Sequence, residues 1–263
     1  MTITSENELL VEIDGPVATI TINRPKRLNA LTVELAKRIV EDFLFLEKDE
    51  SIKVMVLRGS GERAFCAGGD VSEFKKSSSA GDYIHDLTGH LHALIRAIRN
   101  SHILTIASVR GAVAGAGMGL CVATDFRIAS ENTHFNLAFI NLALSPDSSS
   151  TFFLPRLVGW GSAMRIALLG ERIDAREAEE LGLVSKVVKD NELESETKKF
   201  ALHCTNTPRL AIKRTKQLLD QSFSSTLSEQ LELERAFVVE CARTNDFDEA
   251  LKAFFEKRQP RFD

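Results

Sequence analysis

The stretch that most constrains this chain is 103–125, ILTIASVRGAVAGAGMGLCVATD. Ile103, Leu104, Ile106 and Val109 form a β-branched, apolar run that gives way at Gly111 to small residues: Ala112, Ala114, Gly115, Ala116, Gly117 and Gly119. A second apolar run follows. The pattern predicts a strand, a tight turn and the start of a buried helix. Small side chains leave the backbone N–H groups of such a turn open, and a helix N-terminus adds positive potential there. The turn is suited to hold a negatively charged atom. Taken alone it leaves other readings open. A nucleotide phosphate is one, although the glycine spacing fits neither GxGxxG nor a P-loop and no lysine follows. Close packing of a helix on a sheet is another.

A chain of 263 residues with 44% hydrophobic content can build one large domain, or a core with an appendage. A net charge of −4 with mixed signs argues against a nucleic-acid or membrane-surface binder. Cys66, Cys121, Cys204 and Cys241 are far apart, match no zinc spacing and suit a reducing compartment. No metal site is expected. The N-terminal stretch is polar and then alternating, unlike a signal or transit peptide, and no apolar run reaches the length expected of a membrane span. A cytoplasmic protein is the default expectation.

The chain opens with a predicted β-hairpin, in which Leu9, Val11 and Ile13 alternate with polar residues, Gly15-Pro16 turns, and Val17 to Ile22 alternate again. Thr32 is placed to cap a helix carrying Leu35, Ile39, Phe43 and Leu46 to about Lys48. Val54 to Leu57 is a short buried strand. A second small-residue turn, Ala67-Gly68-Gly69, follows Phe65-Cys66, and a polar link over 75–81 leads to a helix from about Asp82 to Arg99. Beyond the opening stretch, Phe126 to Ala129 reads as strand. Helical patterns cover Ser162 to Leu169, Asp174 to Glu180 and Leu193 to Cys204. After Thr207-Pro208 the chain is wholly helical, over Leu210 to Leu219, Leu227 to Cys241 and Asp246 to Arg258. This predicts an α/β core over 1–205 and a helical C-terminal region over 206–263, packed on its own core or on a neighbour.

Two glycine- and alanine-rich turns, each after a strand, could aim two backbone N–H groups at one oxygen, as an enolate or tetrahedral oxyanion requires. Asp147, in LALSPDSSSTFFLP, lies between apolar runs. It reads either as a helix N-cap or as a general acid/base whose pKa is raised by Leu142, Leu144, Phe152 and Phe153. His90 and His92, two apart on a helix, make a poor metal pair. Asp70 and Asp125 read as turn or capping residues. Lys26 and Arg27 form a basic patch, solvated or phosphate-facing. Phe74, Tyr83, Phe139, Phe152 and Phe153 read as pocket or core.

Taken together, NRPKRLNAL (23–31), AFCAGGD (64–70), RGAVAGAGMGLCVATDFRIAS (110–130), SPDSSSTFFLPRLVG (145–159), ALLGERIDAREAEELGLVSKVV (167–188) and AFFEKRQPRF (253–262) resemble the crotonase, or enoyl-CoA hydratase/isomerase, superfamily nearly end to end. The resemblance implies an α/β spiral core of stacked ββα units and a helical C-terminal region that forms trimers, or a dimer of trimers. It implies an acyl-CoA substrate, with coenzyme A part of that substrate and no separate cofactor. Carried over, the oxyanion hole falls on the N–H groups of Gly69 and Ala116, and coenzyme A contacts fall on Lys26, Leu28, Ala67 and a neighbour's Lys257.

The departures from the family pattern are informative. The two glutamates of the family's hydratases correspond here to Gly119 and Phe139, neither of which exchanges a proton. Asp147 matches the acidic residue of the ring-1,2-epoxyphenylacetyl-CoA isomerase-like branch. The resemblance therefore implies an isomerase that shifts a double bond or rearranges a ring epoxide through an enolate, with Asp147 as acid/base. Three other readings stay open: a chlorobenzoyl-CoA dehalogenase-like enzyme using Asp147 and His92, although its tryptophan matches Phe139; an enoyl-CoA hydratase with an atypical site; and a non-catalytic acyl-CoA-binding protein.

Overall fold

A computed structural model describes residues 8–262, so the polar N-terminal stretch lies outside the described residues. The predicted hairpin is β1 (Leu9–Asp14) and β2 (Val17–Ile22), antiparallel. Strand β2 then starts a parallel run through β3 (Val54–Gly59), β5 (Leu104–Val109), β7 (Phe126–Ser130) and β10 (Lys186–Val188), which completes a six-stranded sheet in the order β1-β2-β3-β5-β7-β10. A smaller sheet has the order β4 (Ala64–Cys66), β6 (Ala112–Ala114), β8 (His134–Asn136) and β9 (Ile173–Asp174). Helix α6 (Ala175–Glu180) follows β9, and the units that start at β3, β5 and β7 each place one strand in the large sheet, one in the small sheet and then a helix. These are the stacked ββα units of the expected spiral.

Period-two alternation explains why both faces of the large sheet are covered. On β3, Met55 and Leu57 point into the main core, while Val54 and Val56 point into a second cluster with Ile106, Ile128 and Leu193. That second cluster lies beneath α7 (Leu193–His203). In the main core, α1 (Val33–Glu47) presents Leu35, Ile39, Phe43 and Leu46 to Leu87, Leu91, Leu94 and Ile98 of α3 (Ala80–Asn100). Thr32 caps α1 as predicted, accepting the Leu35 N–H at 3.2 Å. The polar link predicted over 75–81 narrows to 77–79, because α2 (Val71–Lys76), capped by Asp70, runs two residues into it and α3 already starts at Ala80.

The helix predicted from Ser162 begins earlier. Helix α5 covers Ser150–Leu169 and is broken at Gly159 (φ 74°, ψ 162°), with Pro155 in its first half. Pro155 and two glycines mask the period of this segment in the sequence. Its length and composition match those of a membrane span, against the expectation above, although it is broken at Gly159 and carries Arg156 and Arg165.

The helical C-terminal region comprises α8 (Arg209–Gln221), α9 (Leu227–Cys241) and α10 (Asn245–Glu256). Helix α8 is fastened to its own core by a buried charge cluster. Lys216 Nζ lies 2.6 Å from Asp125 Oδ2 and donates to the Ile103 carbonyl at 2.8 Å. Asp125 also accepts the Thr105 N–H at 2.8 Å and an Arg99 N–H at 3.2 Å, and Arg99 grips Asp220 of α8 through two bonds of 2.9 and 3.0 Å. Burial holds the Lys216 ammonium below its usual pKa, with Asp125 opposing that shift. Removing one member of a buried pair leaves the other uncompensated. Asp125 is the carboxylate at ion-pair distance from Lys216, with Asp220 acting on it from farther off, whereas Asp125 keeps Arg99 and Thr105 when Lys216 is removed. In denaturant titration, Asp125→Asn should therefore cost about 3–5 kcal/mol, and clearly more than Lys216→Met; equal losses, or none, would contradict the role given to this cluster.

Candidate active site

Strands β4 and β6 are parallel neighbours, so their C-terminal ends open at the same edge of the small sheet. Each is followed by a glycine turn and a helix, α2 after Gly68-Gly69 and α4 (Ala116–Ala123) after Gly115. Crevices at the carboxyl ends of parallel strands are the usual ligand sites of such sheets. The two turns pack backbone on backbone. A Cβ on Gly68 (φ 94°) would lie 3.1 Å from the Ala114 carbonyl oxygen and 3.2 Å from the Ala116 nitrogen.

Gly69 is held by a parallel bridge to Leu31. The Leu31 N–H donates to the Gly68 carbonyl at 2.8 Å and the Asp70 N–H donates to the Leu31 carbonyl at 2.9 Å. A residue centred in such a bridge points its own N–H away from the partner. Ala116 is the first residue of α4, where helical N–H groups lack an acceptor four residues back. Among the described residues, neither the Gly69 nor the Ala116 N–H donates to a protein acceptor. Both residues line one cavity of about 80 Å³, together with Ala67, Phe139 and Asp147.

Asp147 is the one charged residue in that lining. Apart from Thr88, the side chains of the remaining wall are apolar, with Phe74, Leu87, Leu91, Leu137 and Leu144 lining the cavity. The N-cap reading of Asp147 does not hold. Ser149 stands at the N-cap of α5, and Asp147 accepts the Ser150 N–H at 3.0 Å through its main-chain carbonyl. Its side chain is thus free of capping duty, and Oδ1 is buried without a hydrogen-bond partner among the described residues. Burial pushes the carboxyl above its ordinary pKa, and the neighbouring Ser148 hydroxyl and the His92 charge oppose that shift.

Gly119 has a meaning that the sequence did not reveal. A Cβ there would lie 2.3 Å from the Ser148 carbonyl oxygen and 2.7 Å from the Ser148 Cβ. The space that a side chain at 119 would need is filled by the segment that carries Asp147. Ser148 (φ 50°) and Ser149 (φ 63°) take left-handed conformations to make this approach. Only a structure could reveal that contact, since 29 positions separate the two residues in the chain.

The other expected site residues divide. Leu28 (φ 52°) accepts the Ala67 N–H at 3.0 Å, so the two backbones expected at coenzyme A are joined. Lys26 is exposed on the 3-10 turn Pro25–Arg27, next to that pair. His92 reaches Asp147 through its charge but is not part of the cavity lining. Lys257 is exposed after α10 and is not brought to the cavity within this chain. Of the aromatics, Phe74 and Phe139 line the cavity. Tyr83 accepts the Val33 N–H at 3.3 Å, Phe153 is buried, and Phe152 faces outward beneath Arg156. Asp125 is neither a catalyst nor a simple cap; it belongs to the α8 cluster.

The sequence profile of the enoyl-CoA hydratase/isomerase family matches residues 12–263. The chain belongs to this family. It is 34% identical over 256 residues to a 1,2-epoxyphenylacetyl-CoA isomerase of Escherichia coli (strain K12), covering 97% of each chain. It is 33% identical over 253 residues to a short-chain-enoyl-CoA hydratase of Clostridium acetobutylicum, covering 96% of each. Among solved structures, an enoyl-CoA hydratase from Polaromonas sp. JS666 superposes with a TM-score of 0.92 at 31% identity, over 97% of this chain and 99% of that one. The crotonase fold is thereby established. Family members carry both isomerase and hydratase names, so the reaction has to be argued from the site.

The raised pKa has a consequence for stability. A carboxyl that is harder to ionise when folded costs stability wherever it is charged, above its folded pKa, and costs none below the unfolded value of 3.8. Asp147→Asn should therefore unfold at higher denaturant than the wild type at pH 7, with the gap narrowing as pH falls toward 4. A variant less stable than wild type at pH 7 would contradict the placement of this carboxyl.

Proposed function

We propose that the protein is an acyl-CoA isomerase. The carrying observation is that one cavity holds two unengaged N–H groups and a single carboxylate, while the second catalytic position of the hydratases is closed by the Ser148 backbone. Asp147, as carboxylate, removes a proton from C2 of a 3-enoyl thioester. The electrons move onto the thioester oxygen, which faces Gly69 and Ala116. Asp147 then returns the proton at C4, and the double bond has moved to C2–C3 with no water consumed. For a ring epoxide, the same carboxylate assists ring opening.

The raised pKa suits this work, because a stronger base abstracts a weakly acidic proton more readily. Activity should fall as pH drops through a value above the ordinary carboxylate range, since the protonated acid cannot start the cycle. The acyl group that fits is apolar, because Thr88 and Asp147 are the only polar side chains lining the cavity among the described residues. Coenzyme A would lie along Ala67, Leu28 and Lys26.

Trimer formation, or a dimer of trimers, belongs to the same proposal. It is supported by the outward apolar residues of the C-terminal helices, such as Leu231, Val238, Phe254 and Phe255, the last two 76% and 75% exposed. A monomer in sedimentation would contradict it. Acyl-CoA turnover by a dehalogenase-like route is the second reading. It is favoured by the His92 charge acting on Asp147 and disfavoured by Phe139 in the wall.

Asp147→Asn should slow double-bond migration in a 3-enoyl-CoA by about 10²–10⁴-fold while still binding the thioester. Full activity in this variant would refute the assignment, and halide release from a chlorobenzoyl-CoA, lost in His92→Gln, would favour the second reading. Gly119→Glu should not create a hydratase; instead it should lose stability, because its Cβ meets the Ser148 carbonyl. Appearance of 3-hydroxyacyl-CoA with that variant would contradict the steric argument.

A further inference from the structure

Ser148 is fully buried, at 0% exposure, yet its hydroxyl has no well-formed hydrogen bond among the described residues. Buried hydroxyls are ordinarily paired, so an unpaired one calls for a physical reason. The adjacent Asp147 Oδ1 is in the same condition. Two buried hydroxyl donors, of Ser148 and Ser149, thus follow a buried carboxylate acceptor without being engaged, and of the two it is the Ser148 hydroxyl that acts on the Asp147 carboxyl. The backbone holds them there at a conformational cost: Ser148 takes φ 50°, and its main chain and Cβ are pressed onto Gly119, where no side chain could fit. Residues held in this way persist where the surroundings over-determine them, and such places are often functional.

We infer that Ser148 is a positioning residue for Asp147, its buried hydroxyl donating to the carboxylate and fixing the direction in which that carboxylate meets the substrate. The inference rests on the reading of Asp147 as the group that moves the proton. The two groups belong to consecutive residues, and rotation about their side-chain bonds is the movement that forms the bond. Catalytic hydrogen bonds are commonly loose before substrate binds. When Asp147 is ionised the bond is charge-assisted, and it works against the upward push of burial. When Asp147 takes up the substrate proton the bond weakens, so Ser148 favours the base at the start of the cycle and the return of the proton at its end.

Few other charges compete for this carboxylate. On α3 the charged neighbour is His92. Helix α4 brings only the buried Cys121 thiol, and the turn 139–142 brings no titratable side chain. On α5 the nearest cation is Arg156, which stacks on Phe152 and Phe223, and Arg99 of α3 lies over the Phe153 ring.

Two variants separate the hydroxyl from the backbone. Ser148→Ala keeps a side chain at the left-handed position, whereas Ser148→Gly removes both the hydroxyl and the conformational strain. In protein labelled with 13C at the aspartate carboxyls, the Asp147 signal is identified by its loss in Asp147→Asn, and its titration is read in each variant. Both variants should raise the Asp147 midpoint by about one pH unit, as expected for loss of a hydrogen bond to a charged group. Both should lower kcat by about tenfold with KM for a 3-enoyl-CoA unchanged, and Ser148→Gly should resist denaturant better than Ser148→Ala.

An unmoved midpoint in both variants would overturn the inference. So would a shift in Ser148→Gly alone, which would trace the effect to the backbone. The titration needs no turnover. If the wild type isomerises no thioester but the midpoint moves in both variants, the proposed reaction fails while the contact between Ser148 and Asp147 stands.

Discussion

The site depends on backbone packing against backbone with no side chain between. Gly68 lies against the 114–116 turn closely enough that a Cβ would crowd the Ala116 nitrogen, and this contact brings two separate strand ends onto one cavity. The parallel pairing of β4 and β6 brings the turns to one edge, the bridge to Leu31 turns the Gly69 N–H outward, and the start of α4 leaves the Ala116 N–H unengaged. None of these features depends on a particular catalytic side chain. In the proposed mechanism the enolate is therefore stabilised by the main chain, and the reaction is chosen by the carboxylates placed around it.

In the reaction proposed for this chain that choice rests on a second backbone contact. Gly119 admits the Ser148 main chain, which carries Asp147 to the cavity wall and occupies the room a side chain at 119 would need. The loss of one carboxylate and the arrival of the other are thus one structural event. Asp147 is kept among apolar neighbours, which raises its pKa and makes it a better base, and the fold gives up stability for this placement. Compensation comes from elsewhere, including the core between α1 and α3 and the charge cluster that fastens α8 to β5 and α3.

Much of this was legible in the sequence wherever the signal was local. The Thr32 cap, the apolar stripe of α3, the alternation of β1 and β2, and both glycine turns were read at nearly their observed positions. Signals that depend on distant partners were not legible. Asp125 reads as a turn residue until Lys216 and Arg99 are seen beside it. Helix α5 was shortened in the sequence reading because Pro155 and Gly159 hide its first half. Asp147 stands out in the sequence as a candidate, but setting aside the cap reading requires seeing that its main chain, and not its carboxyl, serves the turn. Gly119 shows in the sequence only the lack of a carboxyl; the reason that no side chain could stand there lies in its contact with Ser148.

The most direct test of the central claim, that a single carboxylate and two N–H groups form an enolate without activating water, is to follow a 3-enoyl-CoA in deuterated water by NMR and mass spectrometry. The account predicts a 2-enoyl-CoA product with solvent deuterium confined to the carbons flanking the migrating double bond, and no 3-hydroxyacyl-CoA. Accumulation of the 3-hydroxyacyl product at a rate comparable to bond migration would contradict it.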